Sequence, residues 1–263
     1  MTQPEDEPNF GNFEGTRIFV QRTARKKSIA LSIRNGTIVV LAPRHISNQE
    51  IQKLITTNTD WIRAKLSQHA ETKRRTERAF VEGERFLYLG KEYPLKVFDG
   101  RRALAELADG CFNIHARRTP IPERRARSIR AAFLRWYKSE AETVITKRVA
   151  FYGSIIGRTP NRISFRDYKS MWGKCDAEGN ITFNWKLVMA PEPILDYVVV
   201  HEMSHLQHLN HSKVFWQCVE SVLSDYKARR KWLKENGSLL TICLLYTSPS
   251  PRDLSTSRMP SSA

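Results

Sequence analysis

The chain has 263 residues, 41% of them hydrophobic and 27% charged, a balance that excludes a chain disordered throughout and fits one or two domains. An excess of 43 Lys and Arg over 27 Asp and Glu gives a net charge of +16, which favours a polyanionic partner or an acidic substrate. The four cysteines are widely spaced, which excludes a disulfide-framed secreted fold. The N-terminus is acidic and no apolar run reaches membrane-spanning length, and together these features predict a cytoplasmic protein.

The N-terminal half is predicted to be rich in strands. Residues 1–15 are acidic and rich in Gly and Asn, which predicts a disordered tail. Residues 16–120 carry β-branched segments and Gly turns, and Asn35-Gly36 is a hairpin signal within them. One helix interrupts the strands, because Ser47 and Glu50 form a capping box ahead of a run with helical apolar spacing.

The C-terminal half alternates long helices with short strands, so the predicted fold class is α+β. Pro122 is predicted to be the first residue of a helix that ends near Ile156. Strand-like segments occupy residues 162–187, and a helix with the sequence ILDYVVVHEMSHLQHLN follows Ala190-Pro191. From residue 242 to 263 the composition shifts to Ser, Pro and Thr without any period, which predicts a disordered tail that does not look native.

The chemistry concentrates in the helix after Pro191, which contains the HExxH motif from His201 to His205. Positions four apart lie on one helical face, so two imidazoles there can bind one zinc ion. Glu202 lies at the edge of the same face and can reach an attacking water without being a ligand. The surrounding residues are apolar nearly all round, so the motif is predicted to be buried, and burial of these polar groups favours a metal partner.

Two histidines compete for the role of third ligand. His208 shares the helical face of His201 but lies too far along a straight helix to complete a tetrahedron with His205. His211 requires the chain to turn back, and Asn210 is a plausible residue for that turn, with Ser212 as the cap of the next helix. The spacing favours His211.

These segments resemble the YgjP-like metallopeptidase family, whose relatives include the SprT-like and WLM zinc peptidases. The matching motifs are Trp172 to Cys175, Gly179 to Trp185, Ala190-Pro191, His201 to His205, and Asn210 to Trp216. The resemblance implies a zincin-like metallopeptidase domain at residues 121–241, behind the β-rich half. It also implies one catalytic zinc held by His201, His205 and His211, with Glu202 as the base. Met171 and Lys174 depart from the family pattern, which puts substrate contacts from that strand in doubt.

The predicted function is a zinc-dependent hydrolase, most simply a metallopeptidase that acts on a peptide or protein substrate. The strand Ile181 to Trp185 is expected to pair with an extended peptide. One alternative is a metal-dependent hydrolase of nucleotides or other phosphate esters, and another is a basic nucleic-acid-binding protein with a structural zinc site. Weak nucleic-acid binding with a steep salt dependence is expected from basic clusters, without a membrane partner. These clusters lie at residues 21–27, 73–78, 116–130 and 227–234.

Overall fold

The computed structural model describes residues 6–24, 28–34 and 36–244. The chain forms two compact units that divide between Arg75 and Thr76. Strands are concentrated in the N-terminal half and helices in the C-terminal half, in agreement with the predicted mixture. In the part of the chain that the structure describes, no helix combines the length and the apolar character needed to cross a membrane.

The first unit is a four-stranded sheet covered by helices. Its elements are β1 (Asp6–Phe13), β2 (Thr16–Thr23), β3 (Ala30–Arg34), β4 (Thr37–Pro43), α1 (Asn48–Thr57) and α2 (Thr59–Thr76). The sheet order is β1-β2-β4-β3, with β2 and β4 parallel and the outer pairs antiparallel. Alternate side chains of β2 and β4, such as Val20 and Val40, are buried with Ile51 and Ile55 of α1.

The hairpin and the capping box in this unit are confirmed, but the single predicted helix is two helices, α1 and α2, and part of the predicted tail is a strand. The β3–β4 hairpin forms where it was predicted, and Gly36 has the left-handed φ of 74° that such a turn requires. The Ser47 hydroxyl accepts from the backbone N–H of Glu50, whose carboxylate accepts from the Ser47 N–H. Part of the predicted acidic tail pairs with β2 as β1, whereas residues 1–5 lie outside the described residues.

The second unit begins with a sheet and one long helix. Its first elements are β5 (Glu77–Arg78), β6 (Arg85–Tyr88), β7 (Lys91–Asp99), β8 (Leu104–Ala108), β9 (Cys111–Ala116) and α3 (Pro122–Ile156). The sheet order is β6-β7-β9-β8, and its apolar face packs on Phe133 and Tyr137 of α3. The helix begins at Pro122 and ends at Ile156, as predicted.

The unit boundary differs from the predicted division near residue 120. Phe86 and Phe112 of the sheet lie 4.5 and 4.7 Å from Phe133 of α3 between ring centroids. The sheet and the helix therefore share one hydrophobic core, and the chain does not divide between them. The change of element type at residue 120 was visible in the sequence, whereas this shared core was not.

The remaining elements build a second, smaller sheet and three helices. They are β10 (Arg162–Arg166), β11 (Gly173–Cys175), β12 (Asn180–Asn184), α4 (Glu192–Ser204), α5 (Lys213–Val222), α6 (Tyr226–Asn236) and β13 (Cys243–Leu244). Strand β12 is central, parallel to β10 and antiparallel to β11, so β11 is an edge strand. Helix α4 is buried nearly all round, as predicted from its apolar sequence.

The C-terminal tail prediction needs a correction at its start. Ile242 is 8% exposed and belongs to the core, and Cys243–Leu244 pair with β5. Ordered structure therefore extends three residues into the predicted disordered segment, because an apolar side chain there finds a buried site. Residues 245–263 lie outside the described residues.

Candidate metal centre

Three histidines converge where α4 ends. One ligand atom from each of His201, His205 and His211 can be chosen so that all three lie within 4.8 Å of one another. The Nε2 atoms of His201 and His211 are 3.1 Å apart. His208 is not part of this group, so of the two histidines considered for the third position the structure brings His211 to the pair.

The chain reverses earlier than the sequence predicted. Helix α4 ends at Ser204 with His205 as its C-cap, whereas the periodicity predicted a helix up to Asn210. The turn forms at once, because the backbone N–H groups of Gln207 and His208 both donate to the Ser204 carbonyl. Ser212 then caps α5, as predicted, and its hydroxyl accepts from the Phe215 N–H. This reversal brings His211, just ahead of that cap, back toward His201.

A backbone hydrogen bond orients His205. Its Nδ1 lies 3.0 Å from the carbonyl oxygen of His208, and a carbonyl can only accept, so Nδ1 carries the proton. Nε2 is then left with a free lone pair. Two aromatic rings pack against the histidines. Between ring centroids, Phe215 stacks 4.5 Å from His205, and Trp216 lies 5.7 Å from His211. Both aromatic side chains therefore pack directly against the histidines.

His201 and His205 are held in their neutral form. Burial, together with the neighbouring His205 and His211 rings and the charge of Arg230, lowers the pKa of His201 to about 3. Burial also lowers the pKa of His205. Neutral imidazoles are the form that binds a metal ion.

The donor set fits a tetrahedral metal ion. Two nitrogen ligands about 2.05 Å from a tetrahedral zinc ion lie roughly 3.3 Å apart, close to the observed Nε2–Nε2 distance. The buried Nδ1 of His201 has no hydrogen-bond partner among the described residues. If His201 uses Nε2 toward the ion, this Nδ1 carries the ring proton.

Glu202 lies beside the histidines but outside their ligand group. Its side chain is buried, and burial raises its pKa to about 7 despite a backbone hydrogen bond from Cys175 that lowers it. Within the described residues no Lys or Arg forms an ion pair with it. Such a carboxylate exchanges a proton near neutral pH, which is the property that a general base and acid needs.

The backbone of β11 lies directly against this carboxylate. A Cβ atom at Gly173 would come within 2.5 to 2.7 Å of the Glu202 side chain, so only glycine leaves room for it. Cys175 on the same strand has its thiol pKa raised to about 11, first by burial and then by Glu202 and Asp176. Its sulfur is not part of the histidine group.

Asn184 positions that strand, and the sequence analysis did not single it out. Its side-chain amide donates to the carbonyl oxygens of Tyr168 and Met171 at 3.0 and 3.1 Å, and its oxygen accepts from the Lys186 N–H. Its backbone N–H donates to the Trp172 carbonyl at 2.9 Å. One buried residue thus fixes the loop that leads into Gly173. A buried polar side chain at a strand end was the available signal.

Asp196 does not orient a histidine. A carboxylate at this place could either orient a ligand histidine or interact favourably with the start of the helix. In the structure both carboxylate oxygens accept from the guanidinium of Arg148 on α3, which also approaches Tyr152. This pair joins α3 to α4, with the carboxylate buried and the guanidinium partly exposed. Its partner lies 48 residues away in sequence, and no local pattern could predict it.

Two comparisons with known proteins found a similarity, and a third found none. A family model described as "YgjP-like, metallopeptidase domain" matches residues 27–236. A solved structure of the metallopeptidase zymogen of Pyrococcus abyssi abylysin is 21% identical and covers 38% of this chain and 100% of its own, with a TM-score of 0.33. No curated protein matches the chain.

Proposed function

The chain belongs to the YgjP-like metallopeptidase family, and from that premise we propose that it is a zinc-dependent peptidase. In this proposal His201, His205 and His211 hold the zinc ion, and Glu202 is the general base. The C-terminal part is then a zincin-like catalytic domain, with α4 as its active-site helix. The observation that carries the proposal is the convergence of three histidines, two of them with lowered pKa values, beside a buried carboxylate outside their set.

The chain's own residues supply binding, orientation and proton transfer. When bound, a zinc ion supplies a water of lowered pKa and polarises a carbonyl oxygen. The Glu202 carboxylate accepts the proton of the attacking water and delivers it to the leaving amine. Burial raises the pKa of this carboxylate, which favours uptake of the proton, whereas a bound cation would lower the pKa and favour its release. The carbonyl of His208 keeps the His205 ring in the tautomer that leaves Nε2 free.

The expected peptide-binding strand has to be revised. We predicted that the strand from Ile181 to Trp185 pairs with an extended peptide, but β12 already pairs with β10 on one side and with β11 on the other. Strand β11 is the edge of this sheet, and Gly173 on it touches Glu202. We therefore propose that an extended peptide adds to β11 on the side opposite β12, next to the general base to which the Cys175 N–H donates.

The two alternatives make different demands on the site. A structural zinc site in a nucleic-acid-binding protein needs no base, yet Glu202 is buried beside the histidines without an ion-pair partner among the described residues, which favours a catalytic role. A hydrolase of phosphate esters would use the same residues, and only the net charge of +16 favours it. Salt-dependent nucleic-acid binding through the basic clusters and a cytoplasmic location stay predictions.

The proposal is tested by Glu202→Gln in the full chain. Gln is nearly isosteric but cannot accept the proton, so hydrolysis should fall by a factor on the order of 10²–10⁴ while zinc content and thermal midpoint stay near wild type. Casein, nucleoside triphosphates and single-stranded DNA, each with and without chelator, would identify the substrate class. Glu192→Gln, an exposed acid at the other end of α4, is the matched control and should keep full activity.

The outcomes separate the alternatives. Chelator-sensitive cleavage of casein that disappears in Glu202→Gln supports the peptidase. Hydrolysis of the triphosphates alone would contradict the peptidase and support the hydrolase of phosphate esters. A Glu202→Gln protein that binds zinc and turns over at the wild-type rate would remove this carboxylate from the mechanism.

A further inference from the structure

An arginine lies over the aromatic wall of the histidine cluster. The guanidinium carbon of Arg230, on α6, is 4.9 Å from the centroid of the Trp216 ring. The same Trp216 ring lies 5.7 Å from the His201 ring and 5.7 Å from the His211 ring. A cation over an indole face is held by the charge distribution of the ring, so Arg230 has a defined position close to the metal centre.

Arg230 lacks an acidic partner among the described residues, unlike three other cations of its helix. Arg229 pairs with Asp225, Lys227 lies within ion-pair distance of Glu220, and Lys231 approaches Glu235. Among the described residues Arg230 forms no ion pair, and its side chain is exposed. Its five N–H donors, in a planar fork, are therefore open to an anion from solvent.

The charge of Arg230 acts on a side chain that packs against the proposed metal centre. Tyr197 lies one helical turn before His201 on α4, with 5.9 Å between the two ring centroids. Burial raises the pKa of Tyr197 to about 12, and Arg230 lowers it while Glu202 raises it. Arg230 and Glu202 therefore both act on one side chain, which places them around the same part of the molecule.

We propose that Arg230 is a specificity-determining residue that binds a carboxylate of the substrate beside the metal centre. This inference rests on the proposed peptidase function, because a peptide supplies carboxylates and a guanidinium fork matches one with two parallel hydrogen bonds. The carboxylate has two sources in a peptide, its C-terminus or an Asp or Glu side chain. The first would make the protein prefer bonds near the end of a chain, and the second would make it prefer acidic sequences.

The experiment compares matched peptides on the full-length, zinc-loaded Glu202→Gln protein, which cannot consume them. A fluorescein-labelled hexapeptide of alanine, leucine and phenylalanine is prepared in three forms. One ends in a carboxamide, one ends in a free carboxylate, and one series ends in a carboxamide with a single glutamate at each position in turn. Binding is measured by fluorescence anisotropy for this parent protein and for the same protein carrying Arg230→Gln or Arg230→Lys. Lys234→Gln removes the same charge from an exposed site of the same helix and is the control.

We expect one carboxylate form to bind about tenfold more weakly after Arg230→Gln, since a charge-assisted hydrogen bond is worth about that factor. The neutral form should change by less than about twofold, Arg230→Lys should keep part of the preference, and Lys234→Gln should behave like the parent. Thermal melts and zinc content check that the variants fold. Which form loses affinity identifies the source of the carboxylate.

Three results would overturn the inference. The parent protein could bind every carboxylate form no better than the neutral one, Arg230→Gln could weaken all forms equally, or Lys234→Gln could match its effect. Cleavage of the same peptides by the wild-type protein separates this inference from the proposed function. Cleavage without any dependence on Arg230 would discard the subsite and keep the peptidase. An Arg230-dependent preference without cleavage would keep the subsite and discard the peptidase.

Discussion

Replacing Gly173 by Ala places a Cβ atom 2.5 Å from Cγ, 2.6 Å from Oε1 and 2.7 Å from Cδ of Glu202. Ordinary contacts of a Cβ atom begin at 3.4 Å, so one partner must move by about 1 Å. Strand β11 is held by its pairing with β12 and by the bonds of Asn184 to the preceding loop. The Glu202 side chain therefore moves, although it is buried in a packed interior.

The expected size of the effect follows from that displacement. A misplacement of about 1 Å in a catalytic group can cost roughly 10²-fold in rate. Forcing an extra methyl group into a packed site costs about 1–3 kcal/mol of unfolding free energy. We therefore expect Gly173→Ala to lose about two orders of magnitude in kcat/KM and to melt a few degrees lower, while it still binds zinc because the three histidines are untouched.

The assay is chelator-sensitive hydrolysis of fluorescent casein, with zinc content and thermal melting measured on the same samples. Arg162→Ala is the matched control, since its side chain is exposed on β10, at the opposite edge of the same sheet, and should leave the rate unchanged. A Gly173→Ala protein with the wild-type rate would show that the Glu202 carboxylate does not need its present position. The role given to it as the base would then lose its geometric support.

Three further predictions concern the ligand set, the tail and a thiol. His211→Ala should lose most of the bound zinc, whereas His208→Ala should keep it, because only the backbone carbonyl of residue 208 is used; zinc analysis of the purified variants decides between them. Truncation after residue 244 should leave the thermal midpoint unchanged, but truncation before Ile242 should cost about 2 kcal/mol in denaturant titrations, since it removes a buried side chain. The thiol pKa of about 11 at Cys175, against an ordinary 9.0, leaves roughly 10²-fold less thiolate at pH 8. Iodoacetamide should therefore modify it about that much more slowly in the native protein than in guanidinium, with a native rate that keeps rising up to about pH 11; equal rates at pH 8 in both states would contradict this.

Features encoded by neighbouring residues were predictable. The capping box at Ser47, the start of α3 at Pro122 and the cap at Ser212 each depend on contacts within one helical turn. The HExxH spacing likewise brings two histidines together on one helix without any long-range information. The position of His211 was predictable because the motif left few ways to complete a metal site.

Features that depend on distant residues were not predictable. The pair of Arg148 with Asp196 and the bonds of Asn184 join segments that only the folded chain brings together. The division into units was misplaced because a change from strands to a helix was visible, while the packing of Phe112 on Phe133 was not. The early end of α4 also escaped prediction, since the apolar period continues through Leu206 and Leu209 after the backbone has already turned.

The proposed ligands all come from residues 201 to 211, and this spacing separates metal binding from folding. An ion that joins residues so close in sequence closes only a short loop, so it removes little conformational entropy from the unfolded chain. The core of the second unit is built from apolar side chains of α3, α4 and two sheets. Removal of the metal should therefore loosen the turn between His205 and His211 and leave the rest of the unit folded. In the proposed function, the ion can then be lost and regained without refolding of the protein.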